Sequence, residues 1–112
     1  MKIKGHIWFE TETGLQIGYG RVKLLECIDD LGSISEAAKK LEIPYRIAWG
    51  MIRSINENAP EPAVIKEVGG KAGGRSSLTD YGRKLVADYN QLDKKFKEFA
   101  EREGSNLSRR KE

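Results

Sequence analysis

One cysteine, one histidine and three prolines set the first limits on this chain of 112 residues. Cys27 alone can close no internal disulfide, and it leaves no cysteine cluster to hold a metal. His6 has no serine, cysteine or carboxylate organised around it in the sequence. Nucleophilic and acid–base catalysis therefore have no constellation to work with, and the expectation is a protein that is not an enzyme. No apolar run approaches the ~18 residues of a bilayer-spanning helix. Met1-Lys2-Ile3-Lys4-Gly5-His6 lacks the apolar stretch of a signal peptide. These absences point to a cytoplasmic chain with no membrane partner, no metal and no cofactor.

What is present is a soluble, globular composition, 38% apolar and 33% charged, long enough for one hydrophobic core and too short for two. The net charge is +3. Residues 1–44 carry 6 basic and 7 acidic side chains, 45–75 carry 5 and 3, and 76–112 carry 9 and 7, so the positive excess lies in the last two thirds. A basic surface attracts phosphate whatever the sequence of the nucleic acid.

Periodicity divides the chain. Lys2 to Glu10 alternates, with Ile3, Gly5, Ile7 and Phe9 on one face and Lys4, His6 and Trp8 on the other, which predicts a strand. Thr11-Glu12-Thr13-Gly14 is a turn, and Leu15–Tyr19 is either a short second strand or an irregular return. Val22, Leu24, Leu25, Ile28 and Leu31 form the stripe of a helix over 21–31, with Cys27 a core residue. Gly32 ends that helix, and Ser33-Ile34-Ser35-Glu36 begins the next as a capping box. A turn at Glu42-Ile43-Pro44 leads to a third helix over 45–58, with Ala48, Ile52 and Ile55 inside. Ala63–Val68 and Arg75–Leu78 flank a glycine-rich tip as a hairpin, and the tip, Gly69–Arg75, carries Lys71 and Arg75 on a mobile loop. Thr79 caps a long helix over 80–103, ended by Gly104. A disordered tail, 104–112, follows the single domain at 1–103.

This order predicts a mainly α fold with small β, a winged helix-turn-helix with a long C-terminal dimerisation helix. The third helix, 45–58, suits the DNA major groove, and the wing, 63–78, suits the backbone or minor groove. The candidate DNA-binding residues are Ser33, Ser35, Tyr45, Arg46, Trp49, Gly50, Arg53, Lys71 and Arg75. Arg46 is the best candidate for a base edge, since a guanidinium pairs bidentately with guanine. Gly50 weakens its helix by roughly 1 kcal/mol relative to Ala, and a glycine there permits close approach of another surface. Tyr45 and Trp49 have an equal claim to partial burial between helices. Gly69-x-x-x-x-Gly74-Arg75-Ser76 imitates a phosphate-binding loop, but Arg replaces the essential Lys and the helix starts too late. Leu85, Tyr89, Leu92, Phe96 and Phe99 repeat every four and three residues, the seam of a homodimer, with packing back onto the first helix or the N-terminal strand as the alternative. The competing reading is a winged-helix module for protein contact or DNA architecture, in which Arg46, Arg53, Lys71 and Arg75 are ordinary surface charge.

Read together, Gly18-Tyr19-Gly20-Arg21, Gly32-Ser33-Ile34-Ser35-Glu36-Ala37-Ala38, Tyr45-Arg46-Ile47-Ala48-Trp49, Asn56, Gly69–Gly74, Leu78-Thr79 and Tyr81-Gly82 form one set. The set resembles the N-terminal DNA-binding domain of the ModE family of molybdate-responsive regulators, itself similar to that of LysR-type regulators. The resemblance covers roughly residues 3–99. It implies double-stranded DNA and a second copy of the chain as partners. Two positions depart from the family: Pro44 stands where serine is usual, and Arg75 where a third glycine is common. The C-terminal oxyanion-binding modules have no counterpart, so the expectation is a stand-alone domain with no molybdate site.

Overall fold

The computed structural model describes residues 1–67 and 75–109. Its elements run β1 (Trp8–Glu10), β2 (Gln16–Gly18), α1 (Tyr19–Leu31), α2 (Ile34–Lys40), α3 (Tyr45–Asn58), β3 (Val64–Lys66), β4 (Ser76–Leu78) and α4 (Asp80–Arg109). This is a mainly α winged helix with two small antiparallel sheets, as the periodicity predicts. Local chemistry explains most boundaries. Gly32 takes the left-handed conformation, φ 69°, and its N–H donates to the Ile28 carbonyl, closing α1. Ser33 Oγ accepts the Glu36 N–H at 3.1 Å and starts α2. Thr79 Oγ1 accepts the Gly82 N–H at 3.1 Å and starts α4.

The core lies where the stripes meet. Val22, Leu24, Leu25, Cys27 and Ile28 of α1 pack with Ile34, Ala37 and Ala38 of α2 and Ala48, Ile52 and Ile55 of α3. Leu15 and Ile17 enter from beside the first hairpin, Leu78 from the wing, and Leu85 and Tyr89 from α4. Each large aliphatic side chain buried in this way stabilises the fold by roughly 1.5–3 kcal/mol. Leu31, expected on the α1 stripe, is exposed, because the helix ends there and turns away.

Two further expectations change. The strand expected over Lys2–Glu10 pairs only at Trp8–Glu10, because β2 offers three residues before α1 begins. Residues 1–7 run instead along α4, where Tyr89 donates its hydroxyl to the Ile7 carbonyl at 3.2 Å. A Cβ on Gly5 would stand 3.2 Å from Phe96. Burial in this contact raises the pKa of the Tyr89 phenol above its ordinary value, reinforced by the nearby Asp93 carboxylate. The second change concerns Gly104, which does not end α4: the helix continues to Arg109, so residues 105–109 are helical rather than a tail. Gly104 is buried, and a Cβ there would overlap the Met1 carbonyl oxygen. Its missing side chain makes room for the N-terminal arm. Residues 110–112, also assigned to that tail, lie outside the described residues, as does the tip Gly69–Gly74. No helix among the described residues is long and apolar enough to cross a membrane.

Gly82 follows the same logic as Gly104. A Cβ on it would overlap the Ala63 carbonyl, which is backbone and cannot swing away. Gly82→Ala is expected to destabilise the fold by about 1–3 kcal/mol through overpacking, despite the better helix propensity of alanine. Gly50 of α3 has nothing within 4 Å of its Cβ position, and Gly50→Ala is expected to stabilise by about 1 kcal/mol. Urea melts of the two variants beside the parent read both signs.

Candidate nucleic-acid interface

Ala48, Ile52 and Ile55 turn one face of α3 into the core. The opposite face, Arg46, Gly50 and Arg53 at spacings of four and three, is exposed, with Tyr45 and Ile47 beside it. The helix starts at Pro44, whose carbonyl accepts the Ile47 and Ala48 amides at 2.9 and 3.1 Å. The result is a rigid cylinder with two guanidinium groups outward and a gap in the side-chain layer between them at Gly50.

Asn56, whose role the sequence alone does not reveal, joins this helix to the wing. Its Oδ1 accepts the amides of Ala63 and Val64 at 2.8 and 3.2 Å, and its Nδ2 donates to the Val64 carbonyl at 3.0 Å. A side-chain amide is suited to this because it accepts and donates at one point. Val64 then pairs with Leu78 in the wing. Trp49 is half-buried against the core, and the Lys66 ammonium sits over its ring, 4.6 Å from the centroid. Lys66 was not among the expected site residues. Its signal exists only across the gap between α3 and β3.

The remaining expected residues divide. Ser35 is exposed at the start of α2, whereas Ser33 uses its hydroxyl as the helix cap. Arg75 does not ride on a wing tip. Its guanidinium lies against Gly32, between α1 and α2, while its carbonyl accepts the Glu67 amide at 2.7 Å and the Ser76 amide donates to the Gly32 carbonyl at 3.0 Å. It is exposed there, at the base of the wing. Lys71 lies outside the described residues.

Charge is arranged unevenly. On α4, Lys84 pairs with Asp88 at 2.7 Å, Lys97 with Asp93 at 3.0 Å, and Arg83 with Asp80 at 3.2 Å. The hydrogen bonds to Asp88 and Asp93 hold Lys84 and Lys97 above their ordinary pKa. Arg46, Arg53, Lys66 and Arg75 take part in none of the ion pairs found among the described residues.

The expected dimer seam is only partly available. Leu85 and Tyr89 are 5% and 2% exposed, covered by the chain's own core. Phe96 is half-buried beneath the N-terminal arm. Leu92 and Phe99 remain open at 45% and 48%. A domain of this size covers the first turns of α4 but not its whole length, which the heptad pattern alone does not reveal.

No family model matches the chain. Curated relatives do. It is 39% identical over 99 residues to the molybdenum transport protein ModE of Azotobacter vinelandii, a match covering 88% of the chain and 37% of that protein. It is 41% identical over 81 residues to the molybdenum-pterin-binding protein MopB of Rhodobacter capsulatus, covering 72% of the chain and 30% of the relative. With the DNA-binding transcriptional dual regulator ModE of Escherichia coli K12 it shares 40% over 72 residues, covering 64% of the chain and 28% of the relative. The chain thus spans about a third of the length of the curated relatives it matches.

Asn56→Ala removes three hydrogen bonds at once and leaves wing amides unpaired. It is expected to lower stability by about 1–3 kcal/mol, and Asn56→Asp, which keeps the acceptor, by less. Chemical denaturation ranks the two.

Proposed function

The chain is a ModE-like domain, matching about a third of the length of ModE transcriptional regulators, and from that premise we propose that it binds double-stranded DNA as a homodimer and regulates transcription. The observation that supports this best is the outer face of α3. Arg46 and Arg53 stand exposed and outside any ion pair found among the described residues, on a helix of 14 residues locked to the wing by Asn56. A single helix fits the major groove. In this reading Arg46 meets a base edge, Arg53 a phosphate or a more distant base, and the wing the backbone or minor groove. Gly50 lets the DNA backbone approach between them. Ser35 and Tyr45 are both exposed and belong to the same proposed DNA-binding set.

A second copy docks on the open part of α4, through Leu92 and Phe99, with Phe9 and Phe96 at the margin. Two-fold symmetry then sets the two α3 helices about one DNA turn apart or a multiple of it. The molybdenum in the names of the relatives concerns proteins of which this chain spans about a third.

Fluorescence anisotropy with the chain's own promoter region, at two salt concentrations, tests the DNA reading. Binding is expected to prefer that sequence and to weaken steeply with salt. Arg46→Ala is expected to lower affinity by about 1–3 kcal/mol, roughly tenfold to a hundredfold. Gly50→Ala is expected to bind more weakly although it melts higher. Equal, weak binding to every duplex, unmoved by Arg46→Ala, would replace this reading with an architectural or protein-contact role. For the dimer, sedimentation of Leu92→Glu is expected to show a monomer where the parent is a dimer. An unchanged dimer removes this face from the interface.

A further inference from the structure

We infer that Lys66 is a DNA-phosphate contact positioned by the ring of Trp49, so that recognition helix and wing meet the DNA as one charged unit; the inference rests on the DNA-binding reading above. Lys66 is the last residue of β3, paired with Ser76 across the wing. Its side chain is exposed, and its ammonium lies 4.6 Å from the centroid of Trp49. The ring is itself restrained, because Trp49 is half-buried and packs against the hydrophobic core. Arg46 and Arg53 precede and follow Trp49 by three and four residues, so they are its neighbours on the helix surface, one turn to either side. The ammonium is therefore held at the junction of α3 and β3, beside the row that carries both guanidinium groups.

Three features favour a phosphate over a purely structural staple. The ammonium is in no ion pair found among the described residues, although seven such pairs exist elsewhere. An aromatic face holds a cation without neutralising it, so the charge stays available to an anion. Lysine is otherwise a flexible point charge with large rotamer freedom. A ring that restricts it before binding reduces the ordering that binding requires. Trp49 is thus a positioning residue and Lys66 the contact.

The test is the slope of log affinity against log salt, read by anisotropy on a fluorescein-labelled duplex of roughly three helical turns from the promoter region. Each phosphate contact contributes about 0.9 to that slope. Lys66→Gln is expected to reduce the slope by about one contact and to weaken binding several-fold, with little change in melting temperature. Lys66→Arg, which keeps the charge and stacks on aromatic faces, is expected to restore the slope. In a double-mutant cycle, Trp49→Leu is expected to weaken binding in the parent and much less in Lys66→Gln. An unchanged slope in Lys66→Gln, while the parent remains salt-sensitive, overturns this inference and leaves the DNA reading standing. Losses from Trp49→Leu and Lys66→Gln that simply add overturn the positioning role of Trp49. A parent with no salt-sensitive binding overturns both the inference and the reading it rests on.

Discussion

The wing of this domain stays where it is because of Asn56. A three-residue strand pair has little stability of its own. Here its first strand is held by a side-chain amide from α3 that accepts from Ala63 and Val64 and donates to Val64. The same strand is tied to α4, since the Thr79 amide donates to the Ala63 carbonyl at 2.9 Å and Gly82 leaves room for that carbonyl. The third helix, the wing and the C-terminal helix therefore converge on two consecutive residues, Ala63 and Val64. Any surface that α3 and the wing share depends on this junction.

The C-terminal helix serves two regions in succession. Its first turns fill the core through Leu85 and Tyr89. Farther along, the small residues Ala100 and Gly104 are buried, and the N-terminal arm passes over them. Large residues in the same stretch, Leu92 and Phe99, are left about half exposed by the described residues. One apolar stripe is thus divided between internal packing, an extended arm and an open patch. The fold is elongated as a result, 65 Å along its longest axis against 30 and 21 Å across.

Charge follows the same division. On α4, Arg83, Lys84 and Lys97 pair with carboxylates at spacings of three and four, whereas Lys94 and Lys95 take part in none of the ion pairs found among the described residues. Exposed pairs of that kind add little stability, about 0.3–0.5 kcal/mol each, but they leave less free positive charge on that face. On α3 and the wing base, Arg46, Arg53, Lys66 and Arg75 are left without such partners among the described residues. A modest net charge of +3 can thereby present a locally cationic surface.

Much of the architecture was legible in the sequence because its causes are local. The limits of α3, the left-handed stop at Gly32, the caps at Ser33 and Thr79 and the inward stripe of α3 each follow from residues within one or two turns of one another. The outward placement of Arg46, Gly50 and Arg53 follows from that stripe by helix geometry alone. Other features arise from contacts between residues far apart in the chain. Gly104 reads as a stop until the arm from Met1 is laid over it, and then it is what allows the helix to continue. Leu85 and Tyr89 match Leu92 and Phe99 in spacing, and only the distance from the core separates them. Arg75 belongs to the loop by sequence and to Gly32 by packing, and Lys66 finds Trp49 across two elements. Periodicity determines which face a residue takes on its own element. What lies opposite that face is decided only when the elements pack.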